Sequence, residues 1–203
     1  NAIEIDRFLF NENVRMKKRR ELGIKDEIVI GHIGRMSYQK NHKYLIDVFA
    51  EILKKKNDSI LLLIGVGEKL DDIKKYVEKL GLSEQVRFLG NRADVDELYQ
   101  AMDVFVFPSL YEGVPVIMIE AQASGLPCII SGNVPKECII TSDLVTSMSL
   151  LDTPSDWAKH VIERSRIKRG IHFEEIQAAG YDVVTATKKL EQFYLKKYGV
   201  KSR

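Results

Sequence analysis

Two acidic and two basic side chains carry the chemistry that this sequence suggests. Glu112 and Glu120 flank the stretch Gly113-Val114-Pro115-Val116-Ile117-Met118-Ile119. Pro115 is expected at the first position of a helix and Gly125 where that helix stops. Glu112 then lies in the loop before the helix, and Glu120 about 7 Å further along the axis at ~1.5 Å per residue. A helix start leaves backbone N–H groups without intrahelical partners and carries the positive end of the dipole. It therefore suits an anion such as phosphate, with one acid within reach of each group attached to it. Arg35 and Lys40, separated by Met36-Ser37-Tyr38-Gln39, form the second pair, and a loop of that length can fold both cations onto one point. Either glutamate alone reads as an ordinary solvated charge. The tandem spacing, the Glu-Gly-x-Pro opening and the apolar Val116 to Ile119 between the acids set the pair apart.

The elements that must position these residues follow from periodicity. Continuous apolar runs at Ile28 to Ile33, Ile60 to Ile64, Val86 to Leu89, Val104 to Phe107 and Pro127 to Ile130 read as buried strands, with a last short one at Leu144-Val145 and Met148. Helical patterns run from about Asn11 to Leu22, stopped by Gly23; from the N-cap Asn41 through Tyr44, Leu45, Val48, Phe49 and Leu53; and from Leu70 to Leu80, stopped by Gly81. Further helices are expected over Asp94 to Ala101, Trp157 to Arg169 and Val183 to Tyr198. Strands alternating with helices across short connections predict an α/β fold, a doubly wound parallel sheet of Rossmann-like type covered on both faces. Right-handed crossovers place every strand-to-helix loop at one edge, so the loops after Ile33 and Phe107 open on the same side.

The chain has 203 residues, 45% hydrophobic and 30% charged, with a net charge of +2. That describes one soluble globular domain and gives no long-range attraction to nucleic acid. The run Arg15-Met16-Lys17-Lys18-Arg19-Arg20 is expected to be a solvated helix face, or else a contact for an anionic membrane surface. Cys128 and Cys138 lack zinc-site spacing and read as buried free thiols. No apolar run is long enough to cross a bilayer. These features suggest a cytoplasmic protein, with a peripheral place at the inner membrane face as the alternative.

With Glu112 and Glu120 as its core, the sequence resembles the C-terminal, donor-binding domain of retaining GT-B-fold glycosyltransferases. The resemblance continues through Gly34-Arg35 with Lys40, Ile64-Gly65-Val66-Gly67, Phe88-Leu89-Gly90 and Asp94-Val95-Asp96-Glu97-Leu98-Tyr99. It covers nearly the whole chain, with residues 1–10 as an interdomain linker in which Ala2 and Glu4 depart from the family pattern, and 182–198 as a C-terminal helix. It implies one half of a GT-B fold, the N-terminal acceptor domain lying outside these residues. It also implies a UDP- or GDP-linked sugar as donor, no cofactor, no metal, and a lipid-linked or membrane-surface acceptor in bacterial polysaccharide or glycoconjugate synthesis. Arg35 and Lys40 would hold the diphosphate, where fixed cations stabilise a departing anion. Glu112 would sit beside the donor sugar and Glu120 would accept from the ribose hydroxyls. Gly34, Gly113 and Val114 would offer backbone to phosphate or sugar, and Arg92 would lie in the loop that holds the base.

Two other readings are a nucleotide-sugar epimerase on the same fold and a donor-binding module without turnover. Weaker motifs are set aside. Gly65-Val66-Gly67 is not a dinucleotide fingerprint, because Leu70 stands where a third small residue is needed. Asp94-Val95-Asp96 is read as capping a helix start rather than binding a metal. His32 is expected to be a core histidine, and His42, His160 and His172 are too scattered along the chain to suggest a cluster.

Overall fold

Strands that are apolar on both faces have to be covered on both, and the arrangement of this chain follows from that. The computed structural model describes residues 2–199. Asn1, the first residue of the expected linker, and residues 200–203 lie outside the described residues. In chain order the elements are α1 (Ile5–Phe8), α2 (Glu12–Glu21), β1 (Ile28–Ile33), α3 (His42–Leu53), β2 (Ser59–Ile64), α4 (Leu70–Lys79), β3 (Val86–Gly90) and α5 (Val95–Ala101). There follow β4 (Val104–Phe107), α6 (Val116–Ala123), β5 (Cys128–Ser131), β6 (Val145–Met148), α7 (Pro154–Arg164), α8 (Phe173–Ala178) and α9 (Val183–Tyr198).

The strands form one parallel sheet in the order β3-β2-β1-β4-β5-β6. Successive side chains alternate between two core layers. Val29, Ile33, Leu62, Phe105, Phe107 and Ile130 pack with residues of α1, α5 and α6. Ile30, Leu61, Leu63, Val104, Val106 and Ile129 pack with α3, α4 and α7. Each such side chain contributes roughly 1.5–3 kcal/mol of transfer free energy. The chain winds outward from β1 to β3, then returns to β1's other side with β4. The loops after β1 and β4 therefore diverge and leave a crevice at the topological switch point.

Several expectations are corrected. Pro115 is the N-cap of α6 rather than its first residue. Asn41 precedes α3, but it is left-handed (φ 54°) and makes no side-chain cap; its amide is used elsewhere. The helix expected over Trp157 to Arg169 starts earlier, with Thr153 accepting from the Asp156 N–H and Pro154 in the first turn, and stops at Arg164. Arg169 instead lies in the following loop, where its guanidinium donates to the carbonyls of Tyr99 (2.9 Å), Gln100 (3.0 Å) and Ser124 (3.0 Å). The short helices α1 and α8 have too few residues to show a period. Residues 3–8, expected as linker, bury Ile3, Ile5 and Phe8, and the Ile3 N–H donates to the Tyr181 carbonyl at 2.8 Å.

Half of the basic run is not solvated. Arg15 and Arg19 reach Asp103 at 2.5 and 3.3 Å, and Lys18 lies 2.8 Å from Asp94 and 2.6 Å from Glu97. These pairs dock α2 on α5. Asp94 correspondingly makes no side-chain cap; it is held by Lys18 and Arg92. Cys128 and Cys138 are buried and free, and burial pushes the Cys138 thiol up to about 11. Among the described residues no helix is long and apolar enough to cross a membrane.

The histidines are not all scattered. His32 is fully buried in β1, its Nδ1 2.9 Å from the Val106 carbonyl, and the His42 ring meets it edge-on with centroids 4.7 Å apart. Burial pushes the His42 imidazole down to about 4 and holds His32 well below its ordinary value. The unfolded chain then binds protons that the folded chain refuses. Stability is fully present above about pH 6.5 and falls as pH drops toward 4, by on the order of 3 kcal/mol for His42. Denaturant unfolding at pH 7 and pH 4.5 should show that decline, and His42→Gln should reduce it.

Gly65 has φ +127°, and a Cβ there would lie 2.1 Å from the Gly34 carbonyl oxygen. Gly81 has φ +71° with nothing near it. Gly65→Ala should lower stability by about 3 kcal/mol, seen as a Tm drop of about 6–12 °C. Gly81→Ala should cost only about 1 kcal/mol by the same thermal melt.

Candidate functional site

The two loops that flank the switch point are joined by polar side chains. After β1 the chain passes through Gly34, whose N–H donates to the Ile64 carbonyl at 2.9 Å. A Cβ on Gly34 would lie 3.2 Å from the Lys40 side chain and 3.3 Å from His32 Nε2. The missing side chain gives Lys40 room to lie back over the strand end. Its Nζ sits 4.7 Å from the Phe107 ring centroid and 2.6 Å from Glu112 Oε1. The other oxygen of Glu112 accepts from Gln39 Nε2 at 3.1 Å, which also donates to the Tyr111 carbonyl at 2.8 Å. The backbone adds a bond from Leu110 N–H to the Gln39 carbonyl at 2.8 Å, and Asn41 Nδ2 donates to the Pro108 carbonyl at 3.2 Å.

The Lys40 and Glu112 side chains are only 13% and 6% exposed. An ion pair so withdrawn from water is held by its geometry and its extra hydrogen bond, and removing one partner strands the other at a cost of about 3–5 kcal/mol. Gln39 was not singled out by sequence, and Asn41 was read only as a helix cap. Their only signal for the site was their place beside Lys40 in a short loop.

Beyond Glu112 the chain is open. The N–H groups of Gly113 and Val114 make no backbone hydrogen bond among the described residues, and a Cβ on Gly113 would meet nothing within 4 Å. Pro115 supplies no side-chain cap, so the first turn of α6 keeps free donors. Glu120 sits one turn further in, half-buried, with its Oε2 accepting from the Tyr99 hydroxyl at 3.0 Å. Burial raises its carboxyl above the ordinary value, opposed by the Tyr99 hydrogen bond and by the charge of Arg7.

The two predicted cations have separate partners. Lys40 is bound to Glu112, whereas Arg35 is 73% exposed and reaches Glu68 Oε2, on the loop after β2, at 3.2 Å. The loop therefore does not fold both onto one point here. Gly67 packs under it, a Cβ there meeting the Met36 carbonyl at 2.5 Å. Arg92, in the loop after β3, is engaged by Asp94 at 2.6 and 2.7 Å. Among the described residues no three His, Cys, Asp or Glu side chains are grouped to hold a metal ion. The rim thus offers amide donors and a lysine for an anion, with one carboxylate on each side suited to hydroxyl groups.

Known proteins resemble this chain in sequence and fold. The family model described as Glycosyl transferases group 1 matches residues 14–162. EpsF of Bacillus subtilis (strain 168), which carries a glycosyltransferase name, is 36% identical over 186 residues, 90% of this chain and 48% of that protein. The Escherichia coli UDP-Gal:alpha-D-GlcNAc-diphosphoundecaprenol alpha-1,3-galactosyltransferase is 33% identical over 147 residues, 70% of this chain and 38% of that enzyme. The chain thus spans half or less of the length of these relatives. Anabaena Alr3699/HepE, solved in complex with UDP, matches with a TM-score of 0.80 at 23% identity, over 97% of this chain and 56% of that one. The C-terminal domain of the group 1 glycosyl transferase LpcC from Francisella tularensis matches with a TM-score of 0.70 at 23% identity, over 93% of this chain and 98% of that one. At those identities the structures speak to the fold, the Rossmann-like half of a GT-B architecture. The sheet order, the loops at its switch point and the match over residues 14–162 agree, and the chain belongs to the glycosyl transferases group 1 family.

Proposed function

We propose that this chain is the donor-binding half of a retaining glycosyltransferase that moves a sugar from a UDP- or GDP-sugar to an acceptor. The observation that carries the reading is the Lys40–Glu112 pair, 2.6 Å apart across the switch-point crevice and next to the uncapped start of α6. A diphosphate at that helix start meets amide donors and the Lys40 ammonium, and Arg35, exposed on the same loop, is free to exchange Glu68 for a phosphate oxygen. Charge that develops on the departing diphosphate is met by these fixed donors, so its departure needs no metal. Glu112, already oriented by Gln39, lies beside the donor sugar and supports the cation-like transition state. Glu120 accepts from the ribose hydroxyls, and the backbone near Arg92 holds the base. In this reading the acceptor is bound by an N-terminal domain that lies outside these residues. By analogy with the named Escherichia coli relative, a lipid-linked acceptor in bacterial polysaccharide or glycoconjugate synthesis at the inner membrane face fits this reading.

Calorimetric titration of the chain with UDP and GDP should show binding of at least one, unchanged by EDTA. Silence from folded protein at millimolar nucleotide would rule the reading out. Glu120→Ala should weaken nucleoside diphosphate binding about tenfold or more, the scale of losing hydrogen bonds to a charged group. Glu112→Ala should weaken it less, because its carboxylate faces the sugar. The opposite order in the same titrations would contradict the two assignments.

A further inference from the structure

Tyr99 is fully buried in α5, its ring edge-on to Phe8 and Phe105 with centroids 6.1 and 5.9 Å away. Phenylalanine would fill that space equally well, and a buried hydroxyl is costly unless bonded. The hydroxyl has two acceptors on α6: Glu120 Oε2 at 3.0 Å and the Ile117 carbonyl at 3.1 Å. A carbonyl at that position also serves the helix's own ladder, four residues on. The single phenolic proton therefore favours the carboxylate, the stronger acceptor. Oε1 of Glu120 receives no hydrogen bond among the described residues, so one oxygen is tethered and the other is left for a ligand. The helix ends are fixed separately, since Arg169 binds the carbonyls of Tyr99 and Gln100 on α5 and of Ser124 after α6.

We propose that Tyr99 is a positioning residue for the nucleotide site: its hydroxyl fixes Glu120 so that the remaining carboxylate lone pairs meet a vicinal diol, which sets the preference for ribose over deoxyribose diphosphates. The inference rests on Glu120 being the ribose acceptor. A carboxylate that rotates freely loses part of its binding to ordering, whereas a tethered one is already oriented.

The groups facing Glu120 are Tyr99 and Asp96 from α5 and Arg7 from α1. Arg7 favours its ionised form, while burial and Asp96 oppose it. Without the hydroxyl, Arg7 alone opposes them, so the carboxyl titrates at higher pH and the acidic limb of nucleotide binding moves upward.

The chain and its Tyr99→Phe variant should be titrated calorimetrically with UDP, GDP and their 2′,3′-dideoxy counterparts between pH 5 and pH 8. For whichever diphosphate the wild type binds, Tyr99→Phe should weaken the ribose form about 5–30-fold, part of what one charge-assisted hydrogen bond contributes because the residue acts only through Glu120, and leave the dideoxy form nearly unchanged. Carbon-13 NMR of the Glu120 carboxyl, without nucleotide, should show its titration shifted up in the variant. Equal losses for ribose and dideoxy forms, or an unmoved carboxyl, would overturn the inference alone and leave nucleotide binding standing. A wild-type chain that binds neither diphosphate would remove the ribose reading, and this inference with it.

Discussion

The structure depends on a charge pair held out of water where the sheet changes winding direction. Lys40 and Glu112 belong to loops that leave neighbouring strands for opposite faces, and their pair joins the Leu110–Gln39 and Asn41–Pro108 hydrogen bonds in tying those loops together. A bare ion pair at this depth gains little, because desolvation of both groups offsets their attraction. Here the offset is limited by Gln39, which bonds the second carboxylate oxygen, and by Phe107, whose ring faces the ammonium. Gly34 is part of the same device, since any side chain there would press on Lys40. The consequence is a crevice whose walls are fixed and whose charges balance, next to a helix start that still has donors to offer.

The same principle of polar groups locking apolar layers recurs away from the crevice. Asp103 gathers Arg15 and Arg19, and also accepts from the Val29 N–H at 2.7 Å, so α2 is registered against the start of β1. Among the described residues Arg169 has no carboxylate partner and instead collects helix-end carbonyls, the negative ends of two dipoles, with Phe10 under its guanidinium at 4.5 Å. α5 and α6, which carry Tyr99 and Glu120, are thereby held at their C-terminal ends as well as along their apolar faces. The site inherits its rigidity from these contacts as well as from the tie between the two loops.

Strands and long helices were legible because their signals are local. Ile28–Ile33 and Val104–Phe107 are continuous apolar runs, and α9 shows its limits through Asp182 and Gly199, one capping the first turn and one left-handed after the last. The candidate residues were legible in type and order for a related reason: Arg35, Lys40 and Glu112 stand in loops after strands, where a parallel sheet must present them, and Glu120 in the helix that follows. What stayed hidden depends on partners far along the chain. The basic run around Lys18 looks solvated until Asp94 and Glu97 are placed beside it. His42 looks isolated until the β1–α3 loop brings it onto His32. The hydroxyl of Tyr99 reads as one more aromatic position until α6 supplies its acceptor.

By itself the sequence determined the parallel α/β sheet, the edge at which its loops gather, and which side chains stand in those loops, because burial patterns and chain turns are properties of neighbouring residues. Only the tertiary structure decided that Lys40 closes on Glu112 while Arg35 turns to Glu68, and that Glu120 is tethered from a different helix. The reason is that a charge chooses its partner by distance and desolvation across the fold, and neither quantity exists until the strands have been ordered in space.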